Sequence, residues 1–167
     1  LKFVPGKKVS KIGPVEVLDL KDTNNELIRN ILSINGILSV FLYEDFLSVN
    51  KKNSIEWSEA KHIIISYIND YYSKGNECVI QDEKFQNKSK NLSELEKKIV
   101  NLLETKIRPA VSRDGGDIVF QKFSEGVVTV KLKGSCSGCP SSTLTLKKGV
   151  ENLLCHYIPE VKEVISI

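Results

Sequence analysis

Hydrophobic residues recur along this chain with two alternating periods. Phe3-Val4-Pro5-Gly6 reads as a strand end followed by a turn, and Val15 to Leu18 as a second short strand after Gly13-Pro14. Thr23-Asn24-Asn25-Glu26 has the form of a capping box, in which a Thr hydroxyl and a Glu carboxylate satisfy backbone donors at a helix start. Leu27, Ile28, Ile31, Leu32 and Ile34 then share one helical face. Asn35-Gly36 ends it, because glycine tolerates the left-handed conformation past a helix C-terminus. The β-rich runs Ile37 to Leu42 and Phe46 to Val49 flank Tyr43-Glu44-Asp45 and predict a hairpin. Ala60, Ile63, Ile64, Tyr67, Ile68 and Tyr71 return to helical spacing as far as Lys74-Gly75. The order is ββαββα, with helices on an antiparallel sheet.

The pattern then lapses. Residues 81–91 contain one apolar side chain, Phe85, among Gln, Asp, Glu, Lys, Asn and Ser. Such a stretch buries too little surface to offset the entropy of ordering it, so it reads as a linker between a domain at 1–80 and another at 92–167. The second domain opens with another capping box, Ser93-Glu94-Leu95-Glu96, and a stripe of Leu95, Ile99, Val100, Leu102, Leu103 and Ile107. Pro109 and Asp114-Gly115-Gly116-Asp117 end that element. Strands at Ile118 to Phe123 and Val127 to Lys133 follow, joined by Ser124-Glu125-Gly126. A helix starts near Pro140, where the missing N–H has no partner to lose, and turns Leu146, Val150, Leu153, Leu154 and Tyr157 inward. Val161 to Ile167 is a last strand. The order is αββαβ, and the fold class is α+β in two small domains.

Composition narrows the function. The 167 residues are 41% hydrophobic and 27% charged, which is ordinary for a globular protein. No apolar run approaches the roughly 18 residues that span a bilayer, so no membrane role is expected. The net charge of +3 resides in the second half and is too mild to imply nucleic acid. With 21 Lys against 3 Arg, and many Ile and Asn, the bias resembles that of an AT-rich genome, which discounts the lysines as a phosphate-binding signal. The chain has no Met and begins at Leu1, so a start codon and any leader are expected upstream.

Four cysteines do not make a disulfide scaffold. Cys78 and Cys155 stand alone and are expected to be dispensable, whereas Cys136 and Cys139 form a Cys-x-x-Cys in the turn between a strand and a helix. Gly134 and Gly138 remove side-chain bulk beside the sulfurs, and the helix N-terminus behind them favours thiolate, the form that binds metal or attacks disulfides. Two chemistries compete. A dithiol redox module also places Cys-x-x-Cys at a strand-to-helix junction, but the strands here read as hairpins rather than a βαβ unit, and proline follows the second cysteine. Metal binding needs more ligands, since two thiolates supply half of a four-coordinate zinc site or of a four-thiolate cluster. A symmetric dimer supplies the other half.

The sequence resembles the Nfu-type NifU-like iron–sulfur proteins. Glu104-Thr105-Lys106-Ile107-Arg108-Pro109, Asp114-Gly115-Gly116-Asp117-Ile118, and Gly134-Ser135-Cys136-Ser137-Gly138-Cys139-Pro140-Ser141-Ser142 carry the resemblance most specifically. His156-Tyr157-Ile158-Pro159-Glu160-Val161 extends it to the C-terminus. Leu1-Lys2-Phe3-Val4-Pro5-Gly6, Ile34-Asn35-Gly36-Ile37 and Glu56-Trp57 carry it more weakly into the first half. The resemblance implies a [4Fe–4S] cluster, with [2Fe–2S] as the variant, held between two subunits and delivered to apo-proteins. It puts Cys136 and Cys139 in the ligand positions. The implied partners are a second copy when the cluster is loaded, apo iron–sulfur clients and an upstream cluster donor. The implied compartment is the bacterial cytoplasm, with the mitochondrial matrix as the alternative. A dimer-bridging zinc protein and a dithiol redox module remain the competing readings.

Other features read as structural. Asp-Gly-Gly-Asp is first a turn motif, so Asp114 and Asp117 are expected to shape the loop near the cluster rather than to ligate it. His62 and His156 take surface or capping roles, and Trp57 packs as a staple at a helix start. Lys131, Lys133, Lys147 and Lys148 form a solvated face that also softens the negative charge of a cluster. No nucleophile–base pair, phosphate loop or acid–base carboxylate pair stands out, and the chain reads as a binding and transfer protein rather than an enzyme.

Overall fold

The computed structural model describes residues 1–80, 92–137 and 140–167, the last of these with side chains from 144 onward. The predicted linker at 81–91 lies outside the described residues. The chain divides into two compact units, Leu1–Asn87 and Lys88–Ile167.

In the first unit, strands β1 (Lys2–Phe3), β2 (Val15–Val17), β3 (Ile37–Leu42) and β4 (Leu47–Lys51) form an antiparallel sheet in the order β1-β4-β3-β2. Alternate residues Val40, Leu42, Leu47 and Val49 face helices α1 (Glu26–Leu32) and α2 (Trp57–Ser73). They meet Leu27, Ile28 and Ile31 of α1 and Ala60, Ile64, Ile68 and Tyr71 of α2 in one core. Ile63, read from the sequence as part of the inward stripe, is exposed, because the four-residue rise from Ala60 to Ile64 and Ile68 leaves it off the buried face. Phe41, Tyr43 and Phe46 pack together on the opposite side of the sheet, with Tyr43 stacked on Phe46 at 5.2 Å.

The first helix starts two residues later than its capping-box signature. Leu20–Asp22 makes a 3-10 turn, Thr23 is extended, and Asn25 is the cap, accepting from the Ile28 N–H at 3.2 Å. Thr23 Oγ1 instead accepts from the Asn25 N–H at 3.1 Å. Asn25 Nδ2 also donates to Tyr71 Oη (3.0 Å) and to the Val79 carbonyl (2.9 Å), and Tyr71 Oη donates to the Cys78 carbonyl (3.0 Å). A threonine at the cap has no amide to make those long-range bonds. Tertiary contacts therefore choose the cap among three adjacent candidates.

In the second unit, the capping box of Ser93 and Glu96 forms as the sequence predicts. It opens α3 (Glu94–Leu102), which passes through one π-helical turn at Leu103–Ile107 into α4 (Arg108–Arg113). Pro109 is therefore not the end of the element. It lacks an N–H and crowds the preceding turn, which widens to accommodate it while the chain stays helical. The buried stripe, Ile99, Leu103, Ile107 and Val111, runs two residues past the proline, and Val100 is half-buried. Strands β5 (Gly116–Ser124) and β6 (Val127–Gly134) pair antiparallel around a turn at Glu125 and Gly126, with φ of 52° and 86°.

Helix α5 (Pro140–Tyr157) leads to β7 (Glu163–Ser166), which pairs with β6 in parallel, giving the order β5-β6-β7. The strands are thus not all hairpins: β6–α5–β7 is a βαβ crossover. An 18-residue helix returns the chain about 27 Å at ~1.5 Å per residue, which is what a parallel neighbour requires. Val150 and Leu154 form its buried face, which Ile158 continues just past its end. Tyr157 is exposed, edge-on to His156, because the stripe passes through 154 and 158.

Replacing Asn25 with alanine removes a cap and two long-range hydrogen bonds. The expected cost is about 2–3 kcal/mol, read as an earlier urea midpoint at unchanged slope. Thr23→Ala, at the position the sequence alone selects, should cost less.

Candidate metal centre

The chemistry gathers where β6 ends. After Gly134 (φ 65°), Ser135–Ser137 forms one 3-10 turn, placing Cys136 at the strand-to-helix junction predicted for it. Ser137 Oγ donates to the Gly134 carbonyl (2.8 Å), the Ser135 N–H to the Gly115 carbonyl (3.2 Å), and Ser135 Oγ to the Asp114 carbonyl. The Asp-Gly-Gly-Asp turn thus holds the cysteine turn from below. Its two glycines do different work. Gly115 takes φ 84°, which L side chains rarely adopt. Gly116 pairs with Gly134 across β5 and β6, and a Cβ there would lie 2.5 Å from Cys136 Sγ and 2.8 Å from the Lys133 carbonyl oxygen. The thiol occupies the space that the missing side chain leaves. Cys139 and Gly138 lie outside the described residues.

Asp117 is fully buried. Arg108 Nε donates to its Oδ1 at 2.8 Å, and the same guanidinium reaches Glu104 Oε1 at 3.3 Å. Among the described residues, Oδ2 has no hydrogen-bond partner. Burial pushes the Asp117 carboxyl up from its ordinary value, against the opposing pull of Arg108, the Ile118 backbone and Lys133. The expectation that the site favours thiolate does not hold for Cys136. Burial raises its pKa first, with the Asp114 and Asp117 carboxylates adding to the rise and the hydrogen bond with Ser135 opposing it. A metal that binds there must displace the thiol proton against that rise.

The Asp114 carbonyl accepts from Ser135 Oγ and the Asp117 carboxylate from Arg108, so both hold the loop beside the cysteine turn. The remaining candidates stand apart from it. His62 and His156 are exposed. Trp57 is the first residue of α2 and packs on the first unit's core beneath the Lys51 ammonium, 5.5 Å from its ring. Lys147 pairs with Glu163 (3.8 Å) and Lys148 with Glu151 (2.8 Å), while Lys131 and Lys133 are half-buried. Cys78 Sγ donates to the carbonyls of Val9 (3.0 Å) and Ile80 (3.1 Å) inside the first unit, and Cys155 is half-buried against the second core. Among the described residues, no three His, Cys, Asp or Glu side chains converge. Sequence reading missed Arg108 and Gly116 as individual contributors. The signal was present as an Arg-Pro nine residues before the aspartate it meets, and as a second glycine beyond what one turn requires.

Residues 99–165 match the family model of the NifU-like domain, and residues 1–75 match that of the scaffold protein Nfu/NifU N terminal. The chain belongs to the Nfu-type NifU-like family. It is 39% identical over 171 residues to "NifU-like protein 4, mitochondrial" of Arabidopsis thaliana, covering 98% of this chain and 60% of that one. It is 38% identical over 170 residues to the human "NFU1 iron-sulfur cluster scaffold homolog, mitochondrial", covering 100% and 67%. With "NifU-like protein C1709.19c" of Schizosaccharomyces pombe it shares 37% identity over 177 residues, covering 100% and 68%. The chain thus spans about 60% of the length of the Arabidopsis relative. Two of these names place those proteins in mitochondria, which was the alternative compartment, and none names a bacterial cytoplasm.

Two outcomes test this geometry in the Nfu-type chain. Gly116→Ala should leave both units folded but displace Cys136, lowering iron uptake several-fold while far-ultraviolet circular dichroism stays native. Asp117→Asn removes a group whose folded pKa is raised. The stability that such a group contributes is present below its unfolded pKa and is lost as pH rises through the folded one. The stability of wild type relative to Asp117→Asn should therefore fall as pH rises from about 4, as urea titrations at stepped pH will show.

Proposed function

We propose that this protein binds an iron–sulfur cluster between two copies of itself, through Cys136 and Cys139 of each, and passes it to apo-proteins. The observation that carries the reading is the seat of Cys136: a thiol at the end of β6, against a glycine that leaves room for sulfur. A [4Fe–4S] cluster needs four outer ligands, and one chain offers two in Cys-x-x-Cys. A two-fold axis supplies the other two. The name of the human relative, an iron–sulfur cluster scaffold, supports the same cargo. The protein acts by binding and transfer rather than by catalysis. The unit from 92 to 167 holds the ligands and its own core, so it assembles the cluster alone, and the unit at 1–80 serves as a docking module for a donor or client.

A second reading has gained one observation. The β6–α5–β7 crossover sets Cys136 at a strand-to-helix junction of a βαβ unit, which is where dithiol oxidoreductases keep theirs. The raised pKa of Cys136 counts against it, since an attacking thiol works best as thiolate.

Anaerobic purification decides between them. The carrier reading expects broad absorption near 400 nm, equal iron and sulfide, and about four irons per dimer by sedimentation, or about half that iron for [2Fe–2S]. Cys136→Ser and Cys139→Ser should each abolish cluster and cluster-dependent dimer together, whereas Cys78→Ser with Cys155→Ser should leave both near wild type. A colourless zinc dimer, or a metal-free disulfide, would select an alternative.

A further inference from the structure

The sheet of the second unit ends at β7, and the outer edge of that strand is unfinished. The Glu163 N–H donates to the Gly126 carbonyl (3.3 Å) and the Ile167 N–H to the Val130 carbonyl (3.0 Å). The odd positions of β7 therefore bond to β6, and the even ones point away from it. The Val164 N–H is taken by a side chain, Glu151 Oε2 of α5, at 3.1 Å. Among the described residues, the Val164 carbonyl and both the N–H and the carbonyl of Ser166 have no partner. Beside this edge lies an open groove of about 810 Å³, lined by Lys147, Lys148, Gly149 and Glu151 of α5 and by Lys162 and Glu163 where β7 begins. We infer that an extended, acidic segment of another protein adds to β7 as a further strand and lies in this groove.

The strand edge, the charges and one glycine restrict the occupant. Volume alone would admit a small molecule. A run of unpaired main-chain groups along a strand is instead matched by another main chain, whose own N–H and C=O groups repeat at the same spacing. Charge sets the sign of its side chains. Glu151 is engaged by Lys148 (2.8 Å) and Glu163 by Lys147 (3.8 Å), whereas among the described residues no carboxylate pairs with Lys162. Incoming carboxylates thus meet one uncommitted ammonium and two in weak surface pairs. Gly149 lies in the middle of an 18-residue helix, where glycine costs backbone entropy that alanine would save. Among the described residues, a Cβ at Gly149 would meet no atom within 4 Å. Packing within the unit does not require that glycine, whereas a main chain passing close to α5 does. Leu144, 70% exposed, lines the same groove and offers the segment an apolar contact.

A second copy is not the occupant if two copies share a cluster, and this exclusion rests on the carrier reading. Val130 is level with Ser166, and Cys136 lies six residues further along the chain from Val130, about 20 Å at ~3.3 Å per residue. Pairing β7 with the β7 of a second copy about a two-fold axis would run the two β6 strands in opposite directions. The two Cys136 residues would then stand about 40 Å apart, too far for one cluster. A partner at this edge is thus distinct from the copy that shares the cluster.

The probes are short fluorescent peptides titrated into the full, metal-free chain at low salt. One alternates glutamate with valine, a second alternates lysine with valine, and a third is the acidic peptide N-methylated at every residue, which keeps its charge and removes its main-chain donors. The acidic peptide should bind about tenfold more tightly than either of the others. Amide exchange followed by NMR gives the local readout: the Ser166 N–H should slow when the acidic peptide binds, while the Ile167 N–H, already bonded to Val130, should not change. Gly149→Leu fills the groove and suits a helix, so it should weaken the acidic peptide about tenfold and leave iron uptake unchanged. Lys162→Gln should weaken it about threefold, the scale of one exposed ion pair. Equal affinity for the acidic and lysine peptides, affinity that survives N-methylation, or an unchanged Ser166 N–H overturns the inference. So does a Ser166 N–H that slows without peptide as the chain is concentrated, since the edge then belongs to a second copy. A wild type that takes up no iron overturns the carrier reading alone, because the peptide titrations use no metal.

Discussion

The site depends on an absence. Cys136 can sit where it does because position 116 has no side chain: a Cβ there would stand 2.5 Å from the sulfur. Much of the surrounding structure serves to keep that approach in place. Gly115 supplies the left-handed turn that brings β5 beneath β6, and the Ser135 hydroxyl and N–H anchor the cysteine turn to the loop. One residue further on, Arg108 reaches from α4 to hold Asp117. The π-helical turn lets α3 and α4 run on through Pro109, so that Arg108 and Val111 both reach the sheet side of the unit.

That construction has an electrostatic consequence. Burial and the two neighbouring carboxylates raise the pKa of this thiol, against the hydrogen bond with Ser135. For a permanent metal site this is a poor arrangement, since binding must work against the proton. For a carrier it is useful: metal charge draws the thiolate out during loading, and the proton stands ready to replace the metal on release. The pair of half-buried Arg108 with buried Asp117 is likewise poor at stabilising the fold for its own sake, because desolvating the carboxylate consumes much of the attraction. Its value lies in fixing β5 to α4 at the residue next to Gly116.

The first unit follows a different logic. It has an alternating sheet, two helices and a core of aliphatic side chains, and its cysteine is used structurally, with Cys78 Sγ bonded to two backbone carbonyls. Asn25 joins the start of α1 to Tyr71 of α2 and to the Val79 carbonyl, so one polar residue ties three segments of the unit together.

The sequence by itself determined the order of elements, the two-unit organisation and the cysteine turn, because each rests on local rules. The period of burial distinguishes strand from helix, Ser93 and Glu96 lie close enough to cap their own helix, and glycine alone tolerates the turn before β5. What tertiary structure decided were the matters that local rules leave degenerate. Thr23, Asn24 and Asn25 are all competent caps, and only the distance to Tyr71 and Val79 selects Asn25. A proline can end a helix or widen it, and packing of Val111 beyond it favours widening. A strand after a long helix can join a sheet either way round, and pairing with β6 made β7 parallel. The protonation of Cys136 was the least legible of all. A helix N-terminus pulls a thiol toward ionisation and is visible in sequence, whereas burial pushes it back and exists only once the chain has folded around it.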